Sequence, residues 1–276
     1  MKTTTDLKDL RTMRASMKGT FGLVPTMGAL HAGHCSLVER ARRECEYVGV
    51  SIFVNPTQFS PGEDFEKYPR NAAHDLDLLE GLGVDLVWLP TPEEIYPQGF
   101  QTWVAVEELT GSLEGKSRPG HFRGVTTIVA KLLNCFLPDK AYFGQKDAQQ
   151  VVVLKRMVGD LNFPVELVVC PTVREEDGLA LSSRNAYLNS AERRAATVLY
   201  RALNAARKEY DSGERDAEAL REIMRSIIGA EPLASAEYIS AADPETLHEL
   251  QRVDGSVLLS LAVRIGRTRL IDNMLI

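Results

Sequence analysis

Apolar runs of strand length, separated by segments of helical periodicity, constrain the fold of this chain most strongly. The clearest run covers residues 47–54 (YVGVSIFV), where apolar side chains do not alternate with polar ones, and it ends at an Asn-Pro pair. A strand buried on both faces has this composition, as in a parallel sheet covered by helices. The run therefore predicts a strand in the interior of a sheet.

Four further runs of this kind lie in the first two thirds of the chain. Strands are predicted over residues 21–26, 47–54, 84–89, 140–143 and 165–170, and helices over 36–46, 72–82, 125–136 and 148–159. This alternation predicts a Rossmann-like, doubly wound α/β domain with a parallel sheet. In such sheets the ligand lies at the carboxyl ends of the strands, near the point where the strand order reverses.

The pattern changes near Pro171. Helices are predicted over residues 190–212 and 217–228, and strands over 236–240, 256–265 and 268–271, with a hairpin turn at Gly266. Helices followed by an antiparallel sheet predict a smaller α+β domain. We place the boundary between the two domains at about residue 172, so that they cover residues 1–172 and 173–276.

Charge and cysteine content exclude several classes of protein. A formal net charge of −6 and a pI near 5.5 disfavour binding to nucleic acid or to an anionic membrane surface. The four cysteines lack CxxC spacing, which indicates free thiols in a reducing compartment. Because the sequence also lacks a signal-peptide core and any apolar stretch of about 20 residues, we expect a cytoplasmic location and no membrane partner.

Two of the five histidines fall in one turn after the first predicted strand. Gly28 precedes His31, and Gly33 lies between the two histidines; both glycines let the backbone turn tightly and approach a ligand. Free N–H groups at the start of a helix favour phosphate, and histidines three residues apart share a helix face. Two neutral imidazole donors there would hydrogen-bond the phosphate oxygens of ATP. A zinc site would need two further ligands, and none is evident.

Three other polar segments suit ligand contacts: two of them follow predicted strands, and the third precedes the helix predicted from residue 190. Asn55 and Gln58, in FVNPTQF, present amides that suit a small hydroxy acid. Lys146, in FGQKDAQQ, is a point charge suited to phosphate. Arg184 and the two serines before it, in LSSRN, would clamp triphosphate oxygens. Each segment also has a plain structural interpretation, as an Asn-Pro turn, a solvated lysine and a capping loop. For His121 and Arg123, in RPGHFRGV, we expect a structural role.

These motifs resemble those of a known enzyme family. Residues 31–34 (HAGH) resemble the HxGH signature of the nucleotidyltransferase superfamily, and the longer string PTMGALHAGH is closely similar to that of pantothenate synthetases, that is, pantoate–β-alanine ligases. The resemblance extends over most of the chain, through all the motifs quoted above. It implies ATP-dependent condensation of (R)-pantoate with β-alanine, through a pantoyl-adenylate, to give pantothenate, AMP and diphosphate. It also implies a homodimer, Mg²⁺ bound through the nucleotide phosphates, and a C-terminal domain that closes over the nucleotide.

The resemblance also implies roles for individual residues. His31, His34, Lys146 and Arg184 would be catalytic, and His34 would be the proton donor. No residue of the protein would be a metal ligand. Gln58 and Gln150 would hold pantoate, next to Asn55, and Gln58 would also border the β-alanine site. ATP would contact Met27, Gly28, Ala29, Leu30, His31, Ala32, Gly33, His34, Gly144, Gln145, Lys146, Asp147, Val173, Leu181, Ser182, Ser183 and Arg184.

The sequence departs from the family pattern at two of these positions. The usual FGEKD is FGQKD here, so Gln145 replaces a carboxylate, and Leu181 stands where methionine is frequent. Both changes preserve approximate shape, and we expect activity to survive them. The polar segment 60–70 is predicted to form a lid.

Two other functions fit the same motifs. A nucleotidyltransferase would use the histidine turn but leave the nucleotide on its product, and the uncharged NPTQF and AQQ segments disfavour a pocket for a phosphorylated substrate. A non-catalytic module that binds nucleotide or tRNA is disfavoured by the acidic charge.

Overall fold

The computed structural model describes residues 1–60 and 62–276, which form two compact units. The first unit comprises Met1–Gly144 and Val153–Pro171, and the second comprises Gln145–Val152 and Thr172–Ile276. Part of the lid predicted over 60–70, residue 61, lies outside the described residues. None of the described helices combines the length and the apolarity needed to span a membrane.

A six-stranded parallel sheet forms the centre of the first unit. Its strands are β1 (Lys2–Thr4), β2 (Phe21–Thr26), β3 (Tyr47–Ile52), β4 (Leu86–Trp88), β5 (Lys140–Gly144) and β6 (Glu166–Cys170). Their order is β1-β4-β3-β2-β5-β6, and every neighbouring pair is parallel. The chain therefore builds outward from β2 in one direction and then in the other, and the strand order reverses between β2 and β5.

Within the described residues, seven α-helices accompany this sheet in the chain. They are α1 (Leu7–Ala15), α2 (Ala32–Glu44), α3 (Ala72–Gly81), α4 (Pro92–Ile95), α5 (Leu113–Ser117), α6 (His121–Phe136) and α7 (Ala148–Asp160), whose first residues group with the second unit. Sheet residues such as Leu23, Val24, Val48 and Val50 are fully buried, as the unbroken apolar runs predicted. The predicted Rossmann-like parallel sheet is thus confirmed.

One strand of this sheet escaped prediction. β1 spans three residues, Lys2–Thr4, and pairs with β4 at the edge of the sheet. Its side chains are mostly exposed, and it therefore carries none of the apolar patterning that identifies the inner strands. Strand pairing across more than 80 residues, from Lys2 to Leu86, keeps it in place.

The second unit contains an antiparallel sheet with helices packed on it. Its strands are β7 (Ala234–Ala242), β8 (Leu258–Ile265) and β9 (Thr268–Leu275), in that order in the sheet, and its helices are α8 (Ser190–Ala195), α9 (Val198–Asp211) and α10 (Ala217–Gly229). Leu199, Leu203, Leu220 and Met224 of the helices share one buried cluster with Leu261 and other sheet residues. The predicted α+β arrangement is confirmed.

The prediction of a single helix over 190–212 was wrong. Residues 196 and 197 separate α8 from α9, and Leu199 N donates to Ala196 O at 3.3 Å, which is a tighter i→i+3 bond. The hydroxyl of Thr197 donates to Arg194 O at 2.8 Å. A threonine that bonds back to the preceding turn competes with regular helix geometry, and apolar periodicity alone does not reveal this.

Candidate active site

The predicted histidine turn connects β2 to α2. His31 is the N-cap of α2 with an extended backbone, and its Nδ1 accepts from Gly33 N at 3.1 Å. His34, three residues on, returns the interaction, since its Nδ1 accepts from His31 N at 3.3 Å. The two imidazoles thus form a reciprocal capping box, with ring centroids 4.1 Å apart.

This capping arrangement fixes the tautomers of both rings. A nitrogen that accepts a backbone hydrogen bond carries no proton, so the proton of each neutral imidazole lies on Nε2. Both side chains are half-buried. The result is a pair of N–H donors at the positive end of a 13-residue helix, where developing negative charge is stabilised.

A buried carboxylate outside the turn holds its backbone. Asp75 of α3 is 1% exposed, and its two oxygens accept from Ala29 N at 2.9 Å and Leu30 N at 2.8 Å. The turn needs this support because Gly28 has φ +80° and Ala29 has φ +51°. A Cβ at position 28 would lie 3.1 Å from the Asp75 carboxylate. Asp75 was not singled out in the sequence, because nothing there distinguishes it from Asp77.

The sheet brings three of the predicted segments to one edge. The histidine turn follows β2, the NPTQF segment follows β3, and Gly144 ends β5. β3 and β5 are the two neighbours of β2, and the carboxyl ends of parallel strands meet at the same edge. The segments therefore lie where the strand order reverses, which is where doubly wound sheets bind ligands.

Asn55 is more deeply engaged with the protein than the sequence suggested. It is 1% exposed, its Nδ2 donates to Gly124 O at 3.1 Å, and its Oδ1 accepts from Tyr96 Oη at 2.9 Å and from Thr57 Oγ1 at 2.9 Å. Helix α6 comes so close here that a Cβ on Gly124 would lie 2.4 Å from Thr57 O. The geometry favours a structural role for Asn55, namely shaping the turn that presents Gln58.

The backbone of Gln58 is fixed by a charged cluster. Gln58 O accepts from His121 Nδ1 at 2.8 Å and from Arg118 Nη2 at 3.1 Å. The Arg118 guanidinium also pairs with Glu63, at 2.7 and 2.9 Å. Burial, together with the neighbouring Arg118, lowers the pKa of His121 to about 4. His121 is therefore neutral at physiological pH and acts as the structural residue that its sequence context indicated.

In the second unit, the predicted phosphate-binding lysine lies in a 3₁₀ turn, Gln145–Asp147, directly after β5. Lys146 Nζ lies 3.5 Å from Asp147 Oδ1, with the lysine side chain 21% exposed. Asn273 of β9 holds this turn, because its Nδ2 donates to Gln145 O at 2.9 Å and to Lys146 O at 2.8 Å. Gln150 follows on α7 and is half-buried.

The remaining predicted nucleotide contacts occupy a second loop of this unit. Leu181 N donates to Val173 O at 3.0 Å, so the two ends of the intervening turn lie side by side. Ser182 is the N-cap of a 3₁₀ helix, Ser183–Tyr187, and its Oγ accepts from Arg184 N at 3.3 Å. Ser182 therefore has the capping role that the sequence offered as a structural interpretation of LSSRN, and this cap orients the turn that carries Arg184.

The whole chain matches one family model and many known proteins. The model described as pantoate-beta-alanine ligase matches residues 1–275. Proteins named pantothenate synthetase from a Roseiflexus species and from Chloroflexus aurantiacus are each 59% identical, with 99% and 100% of this chain and 98% of each relative covered. The chain belongs to the pantoate–β-alanine ligase family.

Solved structures of this ligase family have the same fold. A pantothenate synthetase from Thermus thermophilus matches with a TM-score of 0.96 at 49% identity, over 99% of each chain. A pantoate–β-alanine ligase from Francisella tularensis, solved in complex with beta-gamma ATP and beta-alanine, matches with a TM-score of 0.81 at 38% identity, over 100% of this chain and 97% of that one. The resemblance noted in the sequence is confirmed, and the chain is an ATP-dependent ligase that joins pantoate to β-alanine.

Sequence reasoning missed the residues that position the ligase motifs. Asp75, Tyr96, Asp272 and Asn273 contact motif residues within their own units, yet none lies in a quoted motif. Across residues 1–60 and 62–276, no group of three or more His, Cys, Asp or Glu side chains is arranged to hold a metal ion.

Proposed function

We propose that this ligase works in two steps through a pantoyl-adenylate. In the first step the carboxylate of (R)-pantoate attacks the α-phosphorus of ATP, and diphosphate leaves. In the second, the uncharged amine of β-alanine attacks the acyl carbon, AMP leaves and the amine loses a proton. No protein nucleophile is required, so catalysis rests on positioning and on stabilising phosphate charge.

The observation that carries this proposal is the reciprocal capping of His31 and His34. Because each Nδ1 is occupied by a backbone N–H, each neutral ring presents Nε2–H as a donor. Such donors suit the oxygens of a phosphate whose negative charge grows during adenylation. We assign His34 as the catalytic proton donor and His31 as its partner at the α-phosphate.

Further contacts to ATP are assigned by family resemblance. In the first unit they are Met27–His34 and Gly144, and in the second they are the Gln145–Asp147 turn, Val173 and residues 181–184. Lys146 and Arg184 would offset phosphate charge, and Asp147 would accept from ribose hydroxyls. Mg²⁺ would arrive with the nucleotide substrate and neutralise part of its charge.

Pantoate is assigned to Gln58 and Gln150. Amides hydrogen-bond both hydroxyl and carboxylate groups without changing protonation state. Gln58 is presented by a turn whose backbone is held by His121 and Arg118, which supports a fixed substrate position. Gln58 would also border the β-alanine site, and Asn55 would act through the turn.

We further propose a cytoplasmic homodimer. The acidic charge and the free thiols support the location, and the family resemblance supports the assembly. Light scattering coupled to size exclusion should give about twice the chain mass of 30.6 kDa; the mass of a single chain at micromolar concentration would overturn the dimer.

An ATP–pyrophosphate exchange assay tests the two-step mechanism. With pantoate present and β-alanine absent, label from pyrophosphate should enter ATP, and AMP should accumulate only after β-alanine is added. Exchange that is independent of pantoate, or a requirement for β-alanine before any exchange, would reject the adenylate. Replacement of the exposed His248 by alanine provides a control for loss of a histidine elsewhere.

A further inference from the structure

Two consecutive residues near the end of the chain contact both segments of the second unit that are predicted to bind nucleotide. Asp272 and Asn273 lie on β9 and are 3% and 5% exposed. Although both residues are buried, their side chains are polar, and the polar atoms of both form hydrogen bonds to neighbouring loops. Buried polar side chains that are fully paired fix the groups they bind.

Asn273 commits its whole carboxamide to the Lys146 turn. Its Nδ2 donates to Gln145 O at 2.9 Å and to Lys146 O at 2.8 Å, while its Oδ1 accepts from Gln145 Nε2 at 3.2 Å. Donors meet acceptors at each contact, so only one orientation of the amide satisfies the set. The carbonyl of the lysine itself is among the groups held.

Asp272 does the same for the other loop. Its oxygens accept two hydrogen bonds from the Arg174 guanidinium, at 2.6 and 2.9 Å. Arg174 follows Val173, donates to Gly178 O at 3.0 Å and forms a β-bridge with Ala180. It thereby fixes the turn that joins the predicted nucleotide contacts at positions 173 and 181. Asp272 Oδ1 also accepts from Asn273 N at 2.8 Å, which couples the two anchors.

We propose that Asp272 and Asn273 are positioning residues that fix the Lys146 turn and the 173–181 loop on one strand, so that both present their phosphate-binding groups in a set geometry. The proposal rests on the proposed role of Lys146 and the 173–184 segment in binding ATP. Positioning of this kind places flexible cationic side chains before the substrate arrives. In this proposal Asp272 and Asn273 affect ATP binding through the loops that they hold, without touching the substrate themselves.

A double-mutant cycle between Asn273 and Lys146 tests this coupling. We expect Asn273→Ala to lower kcat/KM for ATP in pyrophosphate exchange by about 10-fold to 30-fold, with KM for pantoate unchanged, because one positioned cation commonly contributes about that much or more. In the Lys146→Ala background the same change should cost less than about threefold. Ser240→Ala is the control, because Ser240 is fully buried in the same sheet and its Oγ has no partner among the described residues.

Equal losses in the two backgrounds, or a matching rise in KM for pantoate, would overturn the proposal and leave the function of Lys146 intact. An unchanged rate in the Lys146→Ala single variant would show that Lys146 has no role in catalysis, and the positioning proposal would then be rejected as well. Circular dichroism and melting curves establish that each variant folds. Should Asn273→Ala not fold, Asn273→Ser, whose shorter side chain offers one hydroxyl donor in place of the two amide N–H donors, is used in the same cycle.

Discussion

The two turns that we propose to bind phosphate in this ligase are held in different ways. The histidine turn of the first unit is largely self-contained, because His31 and His34 cap each other within four residues and Asp75 adds support from 45 residues away. The Lys146 turn of the second unit receives its main anchor from Asn273, 127 residues later. Local sequence builds the first turn, whereas the second depends on a completed tertiary fold.

The difference explains why one turn is so much easier to recognise than the other. A locally encoded geometry leaves its signature in adjacent residues, here a pair of histidines at capping-box spacing. The geometry of the Lys146 turn is imposed by a distant strand, so the neighbouring sequence gives no signal, and Lys146 cannot be distinguished there from an ordinary solvated lysine. The comparison also predicts that variants in the two turns will fail differently.

The largest effect is expected at His34. Asn at this position retains an acceptor at the place of Nδ1 and so preserves the cap, but it lacks the Nε2–H donor. We expect His34→Asn to fold normally and to lose about 10²- to 10³-fold in pyrophosphate exchange, equivalent to about 3–4 kcal/mol. His34→Ala should lose at least as much, whereas His34→Gln should recover part of the rate.

A normal exchange rate in His34→Asn would show that the histidine turn has only a structural function. The two turns could then no longer be compared as catalytic elements. His248→Ala, at an exposed site in the second unit, should retain the wild-type rate.

The next largest effect is expected at Asp75. Asn at this position would set an NH₂ group against one of the two backbone N–H donors, since both carboxylate oxygens are used. We expect Asp75→Asn to lower the free energy of unfolding by about 2–3 kcal/mol and the exchange rate by about tenfold. Urea unfolding and steady-state kinetics measure the two losses.

Asp77→Asn is the matched control, because Asp77 lies on the same helix and is exposed. If both variants behave like wild type, the histidine turn needs no outside support and the contrast with the Lys146 turn is stronger than stated.

Acid should weaken the first unit through His121. Its pKa is about 4 in the folded protein and about 6.5 in the unfolded chain, so below pH 6.5 the unfolded chain binds more protons. The contribution of His121 to stability is therefore complete above about pH 6.5 and is lost as the pH drops, by about 3 kcal/mol at pH 4.

His121→Asn, which retains a donor for Gln58 O, should flatten this dependence when urea unfolding is compared at pH 7, 5.5 and 4.5. An identical pH slope in wild type and variant would reject the assignment. His248→Asn should leave the slope unchanged.

The smallest effect is expected from Gln145→Glu, which restores the residue usual in the family. The variant loses the bond from Gln145 Nε2 to Asn273 Oδ1, but the two bonds from Asn273 Nδ2 to backbone carbonyls persist. We expect less than about a threefold change in kcat/KM for ATP, or below about 0.7 kcal/mol. A loss comparable with that of Asn273→Ala would show that the side chain of residue 145, and not the backbone, is what Asn273 holds.

Much of the fold could be predicted because burial leaves periodic signals. β2, β3 and β6 coincide closely with apolar runs, and α6 was found from its periodicity, although it begins four residues earlier, at His121. The failures occurred where other interactions decide. β1 is an exposed edge strand, and the break between α8 and α9 follows from the hydroxyl of Thr197.

The candidate site was predictable to the extent that its residues are consecutive. The HAGH, NPTQF and FGQKD segments could be found in the sequence and placed after strands. Asp75, Tyr96 and Asn273 could not, because each acts through a contact across 41 to 127 residues that no local pattern encodes. Asn55 is the opposite case: it lies in a recognisable motif, yet its side chain forms hydrogen bonds to Gly124, Thr57 and Tyr96 within the protein.

The most direct test of the central claim is a single-turnover experiment with enzyme in excess over ATP, saturating (R)-pantoate and no β-alanine. We predict that about one equivalent of pyrophosphate forms per ATP, that mass spectrometry of the quenched mixture detects pantoyl-adenylate, and that β-alanine then converts it to pantothenate and AMP. Wild-type enzyme that forms no pyrophosphate until β-alanine is added would contradict the account.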